Sequence, residues 1–221
     1  MKDYGNSDIY RSPRYSADVT EALAAAATST MWDDWDLEGL ITDVPHAYAA
    51  RMGARFGIFC STGTAGLHAS LMSLPLVPGD EVIVPCMTFI RAVTPLVHLG
   101  LQPVLVDIDP ETGNIDPDAI AQAITPRTKA VVVVHMWGIP ADLERIKQLC
   151  DDRGIALIED FSHAHFTEHT TGVVGSFGAV AFASLQRKET FSVGEGGIIV
   201  TRDEKIYERL RQITSPGSFQ G

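Results

Sequence analysis

Four short apolar runs dominate the middle of this chain. They are EVIVP at Glu81–Pro85, PVLVD at Pro103–Asp107, KAVVVVH at Lys129–His135 and IALIED at Ile155–Asp160. Their apolar residues are consecutive rather than alternate. A strand with one face in water alternates, whereas a strand covered on both faces does not. Helical patterns separate them, at about Thr88–Leu99, Pro117–Ile124 and Ala141–Arg153. Buried strands alternating with helices predict an α/β fold: a mixed, mostly parallel sheet with helices on both faces. Ligands of such sheets sit beyond the carboxyl ends of the strands.

The same reading extends outward. Residues 1–15 read as an irregular arm, and 16–221 as one domain. Ser16 is placed to cap an alanine-rich helix, ADVTEALAAAATS, and a second helix is expected over 43–53. Strands are expected at Phe56–Cys60, Ala179–Ser184 and Gly197–Thr201, and helices at Thr64–Leu74 and Arg202–Ile213.

A net charge of −11 argues against a nucleic-acid partner, because phosphate backbones are met by basic faces. No run of 18 apolar residues is present to cross a membrane, and the first residues carry no secretory pattern, so a cytoplasmic location is expected. Cys60, Cys86 and Cys150 are too far apart for a metal cluster and read as buried structural thiols. His163 and His165 stand two apart, but no third ligand has a recognisable spacing, so no metal is expected.

Polar and small residues gather at the expected strand ends. Ser61-Thr-Gly-Thr-Ala65 joins a strand to a helix. Its small side chains let a ligand approach the backbone, and free amides at a helix start favour a phosphate; a plain capped turn is the alternative. Asp160 ends IALIED, where a carboxylate can pair with a protonated ring nitrogen or merely cap a helix. Phe89 could stack on a flat ring or belong to the core. Gly194-Glu-Gly-Gly197 is a turn feeding a strand.

Taken in order, these segments resemble the DegT/StrS-type sugar and cyclitol aminotransferases, fold-type I enzymes dependent on pyridoxal 5′-phosphate (PLP). The resemblance covers about residues 20–215. STGTAGLHASL is similar to the family's SGTAALHLAL, and IEDFSHAHF to its ED-x-x-Q/H-A-H-G. PGDEVIVPCMTFIRAV, PVLVDIDPETGNIDPDAI and ITPRTKAVVVVHMWGIPADLERI fall in the same order. The resemblance implies a PLP-transferase large domain. It implies that Gly63 and Thr64 cradle the phosphate, Phe89 stacks on the ring and Asp160 pairs with the ring nitrogen. It places His163 beside the ring's 3-oxygen and Ser184 again at the phosphate. The implied reaction moves an amino group from glutamate or glutamine to a keto-sugar or keto-cyclitol.

Three departures qualify what is implied. Family members read S-x-x-x-x-K-x-x-x-x-G-E-G-G. Here Ser184 and Gly194 keep that separation, but Glu189 stands in the lysine position and Lys188 lies one residue early. A one-residue shift turns a side chain by about 100° on a helix, or to the opposite face of a strand. The gap-free alignment therefore points Lys188 away from the site. A paired deletion and insertion would return it as the catalytic amine. The glycine after the family's second histidine is replaced by Phe166. The sequence given ends at Gly221, where the family continues into a segment for the neighbouring site and a small C-terminal domain. The expectation is a subunit of a hetero-oligomer or homodimer acting on a small molecule. Two alternatives stay open: a degenerate partner chain that has lost PLP, and a lysine-free PLP dehydratase with Glu189 or His163 as its base.

Overall fold

The computed structural model describes residues 16–28 and 39–214. The expected arm at 1–15, the last residue of the first helix and the segment after 214 lie outside the described residues. The helices are α1 (Ala17–Thr28), α2 (Leu40–Arg51), α3 (Gly63–Ser73), α4 (Thr94–His98), α5 (Pro117–Ala123), α6 (Leu143–Asp151) and α7 (Glu204–Thr214). The strands are β1 (Phe56–Cys60), β2 (Glu81–Pro85), β3 (Gln102–Val106), β4 (Thr128–Val134), β5 (Ala156–Asp160), β6 (Glu168–His169), β7 (Gly172–Val173), β8 (Val180–Ser184) and β9 (Gly197–Thr201).

Seven strands form one sheet in the order β1-β9-β8-β5-β4-β2-β3. The pairs β2–β3, β2–β4, β4–β5 and β5–β8 are parallel; β8–β9 and β1–β9 are antiparallel. Strand residues alternate between two cores. Ile83, Val131, Val133 and Leu157 join Tyr48 and Met52 of the α2 region, Ile120 of α5 and Ile146 of α6. Val82, Val84, Val132 and Ile158 join Leu67 and Leu71 of α3, Leu96 of α4 and Leu210 of α7. Period-two geometry thus turns each apolar run into two buried faces, which is why no polar alternation is visible in the sequence.

Three local expectations change. The helix expected over Thr88–Leu99 is a 3-10 turn at Ile90–Ala92 followed by the short α4. Pro95 has no amide to bond the Arg91 carbonyl, so a continuous helix cannot run through it; it fits instead in the first turn of α4, where a missing amide costs nothing. The hairpin β6–β7 was not anticipated; its strands are two residues each, too short for a periodic signal. Cys150 is buried and Cys60 half-buried, but Cys86 is exposed, because the chain leaves the sheet just after β2.

Candidate functional site

The carboxyl ends of the parallel strands open into a cleft of about 500 Å³. Gly63, Thr64, Phe89, Asp160, His163 and Ser184 all line it, although they come from four separate stretches of sequence. β5 delivers Asp160, β8 delivers Ser184, and the turn after β1 delivers Gly63 and Thr64.

The start of α3 is built for close approach. Thr62 Oγ1 accepts a bond from the Ala65 amide at 3.0 Å. The Gly63 and Thr64 amides have no hydrogen-bond partner among the described residues. A Cβ on Gly63 would lie 2.9 Å from the Ser184 Cβ. One on Gly197 would lie 2.5 Å from the Thr62 carbonyl oxygen. The GEGG turn and the end of β8 therefore press directly on the α3 turn, and only glycine fits at these two contacts. Two free amides at a helix start make a site suited to an anion.

Asp160 is oriented by a short relay. The Ser162 amide and hydroxyl donate to the same carboxylate oxygen, Oδ1, at 3.0 and 2.5 Å. The Ser184 amide in turn donates to Ser162 Oγ at 2.9 Å. Oδ2 is left for a partner in the cleft. Burial pushes the Asp160 carboxyl above its usual range, and the Ser162 bonds oppose that rise only in part. A cation in the cleft would relieve this cost. Phe89 is 68% exposed, far from the core that was its alternative, with the Arg91 guanidinium 5.5 Å from its ring centroid.

Lys188 and Glu189 both line the cleft. Lys188 is exposed, and as a lining residue it is not turned away from the cleft as the gap-free alignment expects. Glu189 lies deeper, its side chain 14% exposed, with Oε2 3.9 Å from His163 Nε2. Burial raises its pKa; the positive field of His163 works against that rise, and Asp160 adds to it. A backbone ladder fixes this register. Leu185 N bonds Gly196 O at 2.9 Å, Val193 N bonds Leu185 O at 3.0 Å, and Arg187 N bonds Gly194 O at 2.9 Å. The Glu189 amide closes a turn onto Gln186 O at 2.9 Å.

Phe191, in the same loop, packs on Tyr48, His165 and Phe166, with ring centroids 5.6, 5.7 and 5.7 Å apart. Phe166 has φ +58°, a left-handed conformation that costs a residue with a Cβ and is natural to glycine. The backbone thus holds a conformation suited to glycine while the side chain joins this aromatic cluster. His165 donates from Nε2 to the Ser184 carbonyl at 3.1 Å and receives Tyr48 Oη at Nδ1. Both ring nitrogens are engaged as in neutral imidazole, and burial lowers its pKa to about 4.

Glu159, Ser162 and His135 were missed by the sequence reading. Glu159 is fully buried and accepts bonds from the amides of Gly175, Phe177 and Gly178 at 2.8, 2.7 and 2.6 Å. His135 Nδ1 accepts the Ala141 amide, so Nε2 carries the proton donated to Glu159 at 3.2 Å. Burial works to raise the Glu159 pKa, but the His135 and backbone bonds together hold it below the usual range. This pair carries the loop that feeds β8 and does not reach the cleft. The adjacent acids Glu159 and Asp160 were one signal for it, since period-two geometry sends one of them to each side. Among the described residues, no group of three His, Cys, Asp or Glu side chains is placed to hold a metal.

Comparison with known proteins identifies the family and the fold. The model of the DegT/DnrJ/EryC1/StrS aminotransferase family matches residues 18–220. An L-glutamine:2-deoxy-scyllo-inosose aminotransferase from Streptomyces kanamyceticus is 43% identical over 157 residues, which are 71% of this chain and 37% of that one. The crystal structure of 3-amino-5-hydroxybenzoic acid synthase superposes with a TM-score of 0.82 at 33% identity, over 90% of this chain and 52% of that one. GDP-4-keto-6-deoxy-D-mannose-3-dehydratase from E. coli, with bound hydrated PLP, superposes with a TM-score of 0.81 at 27% identity, over 90% and 52%. The chain spans about half the length of these solved relatives, and less of the curated one.

Proposed function

The chain belongs to the DegT/DnrJ/EryC1/StrS aminotransferase family, and from that premise we propose that residues 16–221 are the cofactor-binding large domain of a PLP-dependent aminotransferase-like protein acting on a keto-sugar or keto-cyclitol. The observation that carries this reading is the cleft itself. It brings an anion-binding helix start, an exposed aromatic face and an oriented carboxylate together in about 500 Å³. Those are the three contacts a phosphorylated pyridinium needs. The match to a glutamine-dependent cyclitol aminotransferase supports glutamine as amino donor and a keto-cyclitol as acceptor.

Bound there, PLP supplies an electron sink through which an amino group passes from donor to ketone. The chain's own groups hold and tune it. The Gly63 and Thr64 amides and the Ser184 hydroxyl receive the phosphate, with the α3 dipole favouring its charge. Phe89 covers a ring face. Asp160 Oδ2 holds the proton on the ring nitrogen, and Ser162 keeps that carboxylate in place. His163 would meet the ring's oxygen side, with the Glu189 carboxylate 3.9 Å from its Nε2.

Glu189 favours a second reading of the chemistry. A carboxylate cannot bond to the cofactor as an amine does, and Lys188 is exposed where Glu189 is withdrawn from water. The chain then works either beside a partner chain that supplies a lysine, or as a lysine-free dehydratase with the Glu189–His163 pair as base. Ile90, 68% exposed next to Phe89 of the cleft, supports an oligomer in which a second chain covers it. Among the described residues no helix is long and apolar enough to cross a membrane, and we place the protein in the cytoplasm.

The test is titration of the purified chain with PLP and with pyridoxamine 5′-phosphate, followed by absorbance. Saturable binding of either at one site per chain, weakened by Asp160→Ala, is the expected result. No saturable binding of either form, alone or with a co-purifying chain, would reject the cofactor reading.

A further inference from the structure

Glu189 is a charged group buried at a place where the cofactor reading needs none. Its carboxylate is 14% exposed, faces His163 at 3.9 Å and feels the charge of Asp160. The loop ladder from Leu185 to Gly196 holds it there, and replacing it by Lys188 would require breaking the Glu189–Gln186 turn. The consequence concerns which form of the cofactor fits. The aldehyde of PLP offers an oxygen with partial negative charge and no proton. The amine of pyridoxamine 5′-phosphate is an ammonium at neutral pH, with three protons to donate. A carboxylate withdrawn from water repels the first and attracts the second. The nearby amine of Lys188 is exposed to water, whereas the Glu189 carboxylate is withdrawn from it.

We infer that Glu189 makes this cleft select the amine form of the cofactor, pyridoxamine 5′-phosphate, over the aldehyde form. The inference rests on the cofactor reading and adds the chemical form that the chain accepts. An ammonium beside Glu189 also offsets the cost of burying two carboxylates in one cleft: burial raises the pKa of both, and the charge of Asp160 adds to the rise at Glu189.

The test is equilibrium binding of three ligands to the full chain: pyridoxamine 5′-phosphate, PLP and pyridoxine 5′-phosphate. The last has the same ring and phosphate with a neutral alcohol, so its comparison with the amine isolates the ammonium. In the unchanged chain the amine form should bind at least tenfold more tightly than either of the others, about 1.4 kcal/mol. In Glu189→Gln, which keeps the shape and removes the charge, the three should fall within about threefold of one another. Binding of PLP as tight as the amine form overturns the inference, and so does a preference that Glu189→Gln leaves unchanged. If all three bind alike, the cofactor reading stands and the selection fails. If none binds, both fail.

Discussion

Glu189 Oε2 lies 3.9 Å from His163 Nε2 across the floor of the cleft, while the neighbouring Lys188 is exposed. The two residues sit on a loop whose ends are tied by backbone bonds between Leu185 and Gly196 and between Arg187 and Gly194. The identity of the inward-facing group is therefore a property of register, and a single residue separates an amine from a carboxylate.

Asp160 should be the most sensitive cofactor contact. Asp160→Ala removes the charge that holds a proton on the ring nitrogen, and with it the acceptor of both Ser162 bonds. Binding of pyridoxamine 5′-phosphate should weaken at least tenfold, with a shift of its absorbance toward the neutral ring, read by titration and spectrum together. Unchanged affinity and spectrum would leave Asp160 only a structural role.

Phe166 should show opposing effects of strain and packing. Phe166→Ala loses the contacts to Tyr48 and Phe191 but keeps a Cβ at φ +58°. Phe166→Gly loses the same contacts and relieves the strain. Both should be destabilised, with the glycine variant more stable than the alanine variant by about 1 kcal/mol. Urea denaturation midpoints decide this, and the reverse order would contradict the backbone assignment.

His165 predicts a pH dependence of stability. Its pKa in the fold is about 4, against about 6.5 unfolded, so between these values the unfolded chain holds a proton that the folded chain does not. Stability should be fully present above about pH 6.5 and fall as pH drops toward 4, by up to about 3 kcal/mol. Urea unfolding at pH 7.5 and pH 5 should show this slope, and His165→Asn should flatten it. A slope unchanged in the variant would mean another group carries it.

The architecture was legible because it depends on patterns that survive without neighbours. EVIVP, PVLVD, KAVVVVH and IALIED each became a strand within one or two residues of the expected limits. The cleft was legible for the same reason, since Gly63, Asp160 and Ser184 stand at strand ends and a parallel sheet collects those ends on one edge. What stayed hidden depends on contacts across the chain. Ser162 orients Asp160 only because β8 lies beside β5, which brings the Ser184 amide to its hydroxyl. The partnership of Tyr48 with His165 joins residues 117 positions apart. Phe166 departs from the family glycine, and nothing local reveals that its ring would meet Phe191.

Glu159 should matter for folding rather than for chemistry. Glu159→Gln turns an acceptor of four donors into a group with its own N–H, facing the amides of Gly175, Phe177 and Gly178. A loss of about 3 kcal/mol is expected, because buried bonds to a charged acceptor are the costly ones to break. Cofactor affinity should be nearly unchanged in whatever fraction remains folded, read by binding at low temperature. A variant as stable as the unchanged chain would contradict the buried network.

The register of Lys188 and Glu189 decides the whole account. The direct measurement is to saturate the chain with PLP, reduce with borohydride and map the peptides. The account predicts bound cofactor that is released on denaturation, with no pyridoxyl group on Lys188. A stoichiometric pyridoxyl adduct on Lys188 would contradict it, and would make this chain's own lysine the working amine of an ordinary aminotransferase site.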